Sequence, residues 1–217
     1  DALLAVDTRA AYAALAVNAA LKRRRLTARA GAYVTEVVFG TLRQRGTIDW
    51  MLAQCSDRPL ESLHPTVRNV LRLATYEICF MRTVPGPVAC HEAVTLVKRR
   101  KQPRAAGFVN AICRAVLRRH EADDWSWPSP EDDPVTALSV LTSHPRWLVA
   151  RWIERFGVEE TKRLCEANND TPPLHIRANT LKTTRGDLAR MLADDGVDAQ
   201  PGRWAPEALH VRGLGRL

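Results

Sequence analysis

The chain has 217 residues, 46% of them hydrophobic and 26% charged, with a formal net charge of +8. That length can bury one large core or two modest ones without disulfides. The longest apolar runs fall far short of the roughly 20 residues that cross a bilayer. No signal-peptide pattern opens the chain, so a cytoplasmic protein with no membrane partner is expected.

The charge is unevenly distributed. Residues 1–121 hold 20 Lys and Arg against 9 Asp and Glu, a net of +11, while residues 122–217 hold 12 against 15, a net of −3. A polyanionic partner is therefore expected for the first segment. The five cysteines, Cys55, Cys79, Cys90, Cys113 and Cys165, are widely spaced and include no C-x-x-C pair. They read as reduced thiols, and Cys79 and Cys113 fall in apolar stretches where a small buried hydrophobe is the simplest role.

In chain order, the alanine-rich stretch from Asp7 to Lys22 predicts a helix capped by Asp7. A second helix is expected over 28–45, with Val34, Val37, Val38 and Leu42 on one stripe and Gly46 as its stop. A short third helix carries Ile48, Trp50, Met51 and Leu52. Thr66 is read as the cap of a helix over 67–82 that is apolar on most sides, which makes it the expected core helix. Pro87 opens the next helix, which ends at the basic run of positions 98–104, and Pro103 opens the last helix of this segment, reaching Glu121. Residues 1–121 are thus expected to form an all-helical domain.

The stretch 123–134, DDWSWPSPEDDP, cannot continue a helix, and residues 122–134 are read as a linker pinned by Trp125 and Trp127. Beyond it, helices are expected over 135–141, 145–156 and 158–168. Leu174, Ile176 and Ala178 then alternate with polar residues as in a half-buried strand. A helix over 183–195, stopped by Gly196, leads to short strands near Arg203 and at 209–211. Residues 135–217 therefore read as a helical lead-in to a β-α-β-β unit, and the fold class as mainly α with a small, incomplete α/β subdomain.

Motifs for chemistry are scarce. Neither G-x-G-x-x-G nor a P-loop occurs, and Gly213 with Gly215 is too short a match to define a cofactor loop. The six histidines show no i, i+4 pairing, and His91 on its helix reads as a surface or partly buried side chain. The basic run Lys98, Arg99, Arg100, Lys101 and Arg104 could simply complement a helix C-terminus. Four consecutive cations followed by a helix bearing Arg114, Arg118 and Arg119 exceed that need, and all eight are candidate RNA-phosphate contacts. Positions 22–25, KRRR, form a second cluster.

Three stretches, FGTLRQRGTIDWML (39–52), VRNVLRLATYEICFMRTVPGPVACHEAV (67–94) and GFVNAICRAVLRR (107–119), resemble the NusB fold, the helical RNA-binding domain of antitermination factors. SHPRWLVARWIERFG (143–157) and EANNDTPPLHIRANTLKTTRGDL (166–188) extend the likeness beyond what free antitermination factors possess. Together they resemble the RsmB (Sun/Fmu) family of small-subunit rRNA cytosine-C5 methyltransferases. The resemblance implies an RNA-binding front region, with RNA rather than DNA as partner, and an RRM-like lead-in to a catalytic module that uses S-adenosylmethionine. In that family the donor loop and both catalytic cysteines lie further downstream, so no catalytic residue and no cofactor site is assigned here, and these residues alone are not expected to methylate. His91 departs from the family, which more often has a small or amide residue there. The rival reading is a non-catalytic antitermination or ribosome-assembly factor that binds RNA and a small ribosomal protein. A third is a helical dimerisation module.

Overall fold

The computed structural model describes residues 1–23, 26–170 and 172–212, with Arg212 by its backbone alone. Arg24 and Arg25 of the second basic cluster, and Gly213 and Gly215, lie outside the described residues. Two compact units divide the chain, Asp1–Asn169 and Asp170–Leu217.

The first unit contains α1 (Ala2–Arg9), α2 (Ala13–Arg23), α3 (Ala28–Arg43), α4 (Arg45–Ala53), α5 (Pro65–Phe80), α6 (Gly86–Arg99), α7 (Ala106–Glu121), α8 (Pro134–Leu141), α9 (Arg146–Phe156) and α10 (Val158–Asn169). α5 is the hub. Val67, Val70, Leu71, Ala74 and Ile78 are all buried on it, and it packs against α1, α3, α4, α6 and α7. Its neighbours contribute Ile48 and Leu52 from α4, Val97 from α6, and Val109 and Val116 from α7, all fully buried. Each such side chain contributes about 1.5–3 kcal/mol by leaving water. The expected core helix is therefore the real one.

Three boundaries differ from the sequence reading. The helix expected over 7–22 is two helices, broken where Ala10 adopts a left-handed conformation at φ 49°. Asp7 is consequently no cap: it lies inside α1 and carries its carboxylate to α5. The cap of α5 is His64, whose Nδ1 accepts from the Thr66 amide at 3.2 Å, and Pro65 takes the first turn. Gly46 does not stop a helix but sits in the first turn of α4, where its amide donates to Ser143 Oγ at 2.6 Å. A Cβ at Gly46 would lie 3.1 Å from that Oγ, so a glycine suits this close approach.

That contact is one of several from α4 to later residues. Thr47 Oγ1 donates to the Val140 carbonyl at 2.6 Å. Trp50 Nε1 donates to the Ser126 carbonyl at 2.9 Å, and Ser126 N donates to Gln54 Oε1 at 3.0 Å. Trp125 packs against the main core, and Trp127 lies beside it. Residues 122–134 thus run as a pinned strap across α4, and α8 to α10 close a smaller core of Leu138, Val149 and Cys165 within the same unit.

The second unit has β1 (Leu174–Arg177), α11 (Arg185–Asp194), β2 (Asp198–Pro201) and β3 (Ala208–Arg212). The strands form an antiparallel sheet in the order β1-β3-β2, with Ile176 opposite Leu209 and Ala199 opposite Val211. This is the expected β-α-β-β succession, although the strand placed near Arg203 falls at 198–201. Central β3 buries Leu209 and Val211, while edge-strand Leu174 remains 47% exposed. Thr184 Oγ1 caps α11 by accepting from the Asp187 amide at 3.1 Å.

Candidate RNA-binding surface

The α6 and α7 helices form an antiparallel hairpin. Gly86 has no side chain where Leu117 presses in, and buried Cys90 and Cys113 interact within the same core, so ascending positions on α6 meet descending positions on α7. The connection is short because Lys101 takes a left-handed turn at φ 60° and Pro103 opens a single 3-10 turn before α7.

This geometry separates the eight candidate cations into two groups. Lys98, Arg99, Arg100, Lys101 and Arg104 gather at the closed end of the hairpin, all exposed. Arg114 and Arg118 stand exposed further along α7. Ten residues separate Arg104 from Arg114, on the order of 15 Å at helical rise. Two members have protein partners. Arg100 pairs with Asp1. Arg119 donates to the Asp124 carbonyl at 2.8 Å, pairs with its carboxylate at 3.4 Å and lies over the Trp125 ring, so it anchors the strap.

Sequence reasoning missed the polar network that sets α1, α4 and α5 in place. The Asp7 carboxylate, 6% exposed, receives Arg68 at 2.6 Å, Asn69 at 3.2 Å, Arg45 at 3.3 Å and Arg72 at 3.4 Å. Arg72 in turn forks onto Asp49 at 2.7 and 2.8 Å. Burial alone would raise the Asp7 pKa, but the Arg68 hydrogen bond and the charges of Arg72, Arg68 and Arg45 outweigh it and hold the carboxyl below its ordinary value. The only hint in the sequence was the i, i+4 spacing of Arg68 and Arg72.

A second pair joins α3 to α5, where the hydroxyl of exposed Tyr33 donates to buried Glu77. Burial raises the Glu77 pKa, with the Tyr33 hydrogen bond opposing. These two residues line a largely apolar cavity of about 480 Å³ with Val34, Val38, Leu73 and Leu96. Tyr76 likewise donates to Glu36 at 2.7 Å, and burial with that bond pushes its phenol up to about 12.

The thiols behave as the apolar context suggests, with one qualification. Burial pushes Cys79 up to about 12, and the hydrogen bond to Cys90 together with burial raises Cys113 further. That same bond, with Arg114 nearby, lowers Cys90 to about 7 against the opposing effect of burial. No group of three or more His, Cys, Asp or Glu could hold a metal ion among the described residues. Among them, too, no helix is long and apolar enough to cross a membrane.

An all-helical, cation-bearing domain followed by a β-α-β-β unit is the class that fold and surface define. Residues 1–118 match the NusB family, and the chain belongs to that family. Residues 144–215 match the "Methyltr_RsmF/B-like, ferredoxin-like domain" family. The chain is 31% identical over 213 residues to the probable ribosomal RNA small subunit methyltransferase B of Bacillus subtilis, covering 97% of this chain and 46% of the relative. It is 31% identical over 185 residues to ribosomal RNA small subunit methyltransferase B of Pseudomonas putida, covering 82% and 40%. It therefore spans under half the length of these curated relatives. Among solved structures, the crystal structure of PH0851 superposes with a TM-score of 0.71 at 19% identity, covering 99% of this chain and 48% of that one. T. maritima NusB superposes with a TM-score of 0.51 at 26% identity, covering 55% and 84%.

Proposed function

We propose that this chain is the RNA-holding front region of a small-subunit rRNA cytosine-C5 methyltransferase of the cytoplasm. In this reading residues 1–121 grip folded ribosomal RNA, residues 122–134 join the modules, and residues 135–217 lead into the methyl-transferring part. The observation that carries it is the exposed cationic hairpin on a chain whose relatives are named for ribosomal RNA methylation. Lys98, Arg99, Lys101 and Arg104 at the hairpin's closed end, with Arg114 and Arg118 along α7, would meet phosphates; Arg100 would do so by exchanging its Asp1 partner. Arg119, also a candidate, acts from beneath by bracing the strap.

S-adenosylmethionine would supply the methyl group in the whole protein. The described residues do not fit a donor cradle. The strand-to-helix connection from β1 to α11, residues 178–184, contains no glycine to admit a cofactor, and Thr184 is occupied as a cap. No chemical step is therefore assigned to these residues; their work is binding and orienting RNA.

Binding of the 217-residue chain to a small-subunit rRNA fragment, followed by fluorescence anisotropy, should weaken steeply between about 50 and 200 mM salt. Salt-insensitive or absent binding sinks the reading. The 26% identity to T. maritima NusB favours a second reading, a non-catalytic antitermination or assembly factor that also contacts a ribosomal protein. The match over residues 144–215 weighs against it.

A further inference from the structure

Along the α6–α7 hairpin, with Arg114 of the second cationic group in its wall, lies a cavity of about 180 Å³. Pro87, Val94 and Leu117 give it apolar walls, with buried Cys90 among them, and His91, Asn110 and Arg114 are its polar members. Lys98 stands one helical turn beyond Val94 on α6, and Arg118 one turn beyond Arg114 on α7. A backbone running from one cationic group to the other would pass along this groove.

Resting on the reading of this hairpin as an RNA surface, we propose that the cavity seats one unstacked nucleobase of the bound RNA. The chemistry of its members matches that guest. Apolar walls accept a planar face, and the exposed His91 imidazole supplies a ring to stack on, as loop bases do on histidine and arginine planes in single-stranded recognition. Arg114 Nε donates to Asn110 Oδ1 at 3.3 Å, and because a guanidinium can only donate, that bond fixes which end of the amide is engaged. The Asn110 N–H pair is left to donate, so the cavity favours a base edge that presents an acceptor. Among the described residues the two terminal nitrogens of Arg114 have no partner, and they would hold the phosphate beside the seated base. A neutral or basic protein guest would find the same apolar walls but no use for a mouth flanked by Lys98, Arg114 and Arg118. His91 becomes a stacking and specificity residue.

The test compares two fluorescein-labelled probes of equal charge on the 217-residue chain: a mixed-sequence single-stranded RNA 12-mer and an abasic 12-mer with the same phosphates. The wild type should bind the base-bearing probe at least about fivefold more tightly. His91→Ala and Asn110→Ala, each checked for an unchanged far-ultraviolet spectrum, should narrow that preference by weakening the base-bearing probe more than the abasic one. Arg118→Ala should weaken both probes together. Equal wild-type affinity for the two probes, or a preference that survives in both variants, overturns the cavity's role while leaving phosphate binding intact. Failure to bind either probe while the small-subunit rRNA fragment is bound overturns this inference alone, and failure to bind that fragment as well overturns the RNA reading and this inference with it.

Discussion

Replacing Asp7 with asparagine isolates the network that joins α1 to α5. The side chain keeps its shape and one acceptor oxygen but loses the charge facing three arginines. Arg72 retains its fork onto Asp49 at 2.7 and 2.8 Å, so it is not orphaned. Arg45 is 45% exposed and close to solvent, and its contribution is at most about 1 kcal/mol. The cost falls on Arg68, whose 2.6 Å bond to Asp7 is its one ion pair among the described residues and whose Nε is already buried without a partner. Breaking one arm of a buried pair costs about 3–5 kcal/mol, and the partial rescue of Arg72 places Asp7→Asn near about 3 kcal/mol. For a chain of this size that is a fall in Tm of roughly 6–12 °C.

The pH dependence gives the test its sign. The Asp7 pKa is depressed below its ordinary 3.8 in the folded chain, so the stabilisation is fully present above that value and is lost as pH falls through the folded one. Urea unfolding followed by circular dichroism should show the full gap between wild type and variant at pH 7 and a shrinking gap below about pH 4. A gap under about 1 kcal/mol at pH 7, or one that stays constant down to pH 3, refutes the reasoning.

Gly40→Ala should destabilise by about 1–3 kcal/mol in the same assay, because a Cβ there would overlap the Tyr76 ring, which its bond to Glu36 helps hold in place. Trp50→Phe keeps the ring packing but removes the donor to the Ser126 carbonyl; a loss of about 1 kcal/mol is expected, with earlier proteolytic cutting in residues 122–134. Arg118→Ala should lower the slope of log affinity against log salt for RNA by about one, while Arg119→Ala should act mainly on thermal stability. An Arg119 variant that changes only the salt slope would place that residue among the phosphate contacts instead of the strap.

Much of this architecture was legible along the chain, because helices and strands announce themselves by local spacing. The apolar positions of 67–82 identified the hub, the prolines at 87 and 103 marked two helix starts, and the alternation around Leu174 found the first strand of the sheet. The differing boundaries share a cause: by residue type Asp7, Thr66 and Gly46 favour local roles, as caps and a stop. In the fold Asp7 answers arginines more than 35 positions away and Gly46 meets Ser143 at 97 positions' remove, so no nearby pattern could reveal either.

The candidate surface divides in the same way. Composition alone determined that the first 121 residues are basic and that Lys98 to Arg104, Arg114, Arg118 and Arg119 carry the charge, because charge belongs to residue type. Only tertiary structure decided that these cations form two groups, that Arg119 is engaged by Asp124 and Trp125, and that His91, Asn110 and Arg114 share one cavity. Those facts depend on the register of α6 against α7, which is set by side chains meeting across the hairpin and not by spacing along either helix.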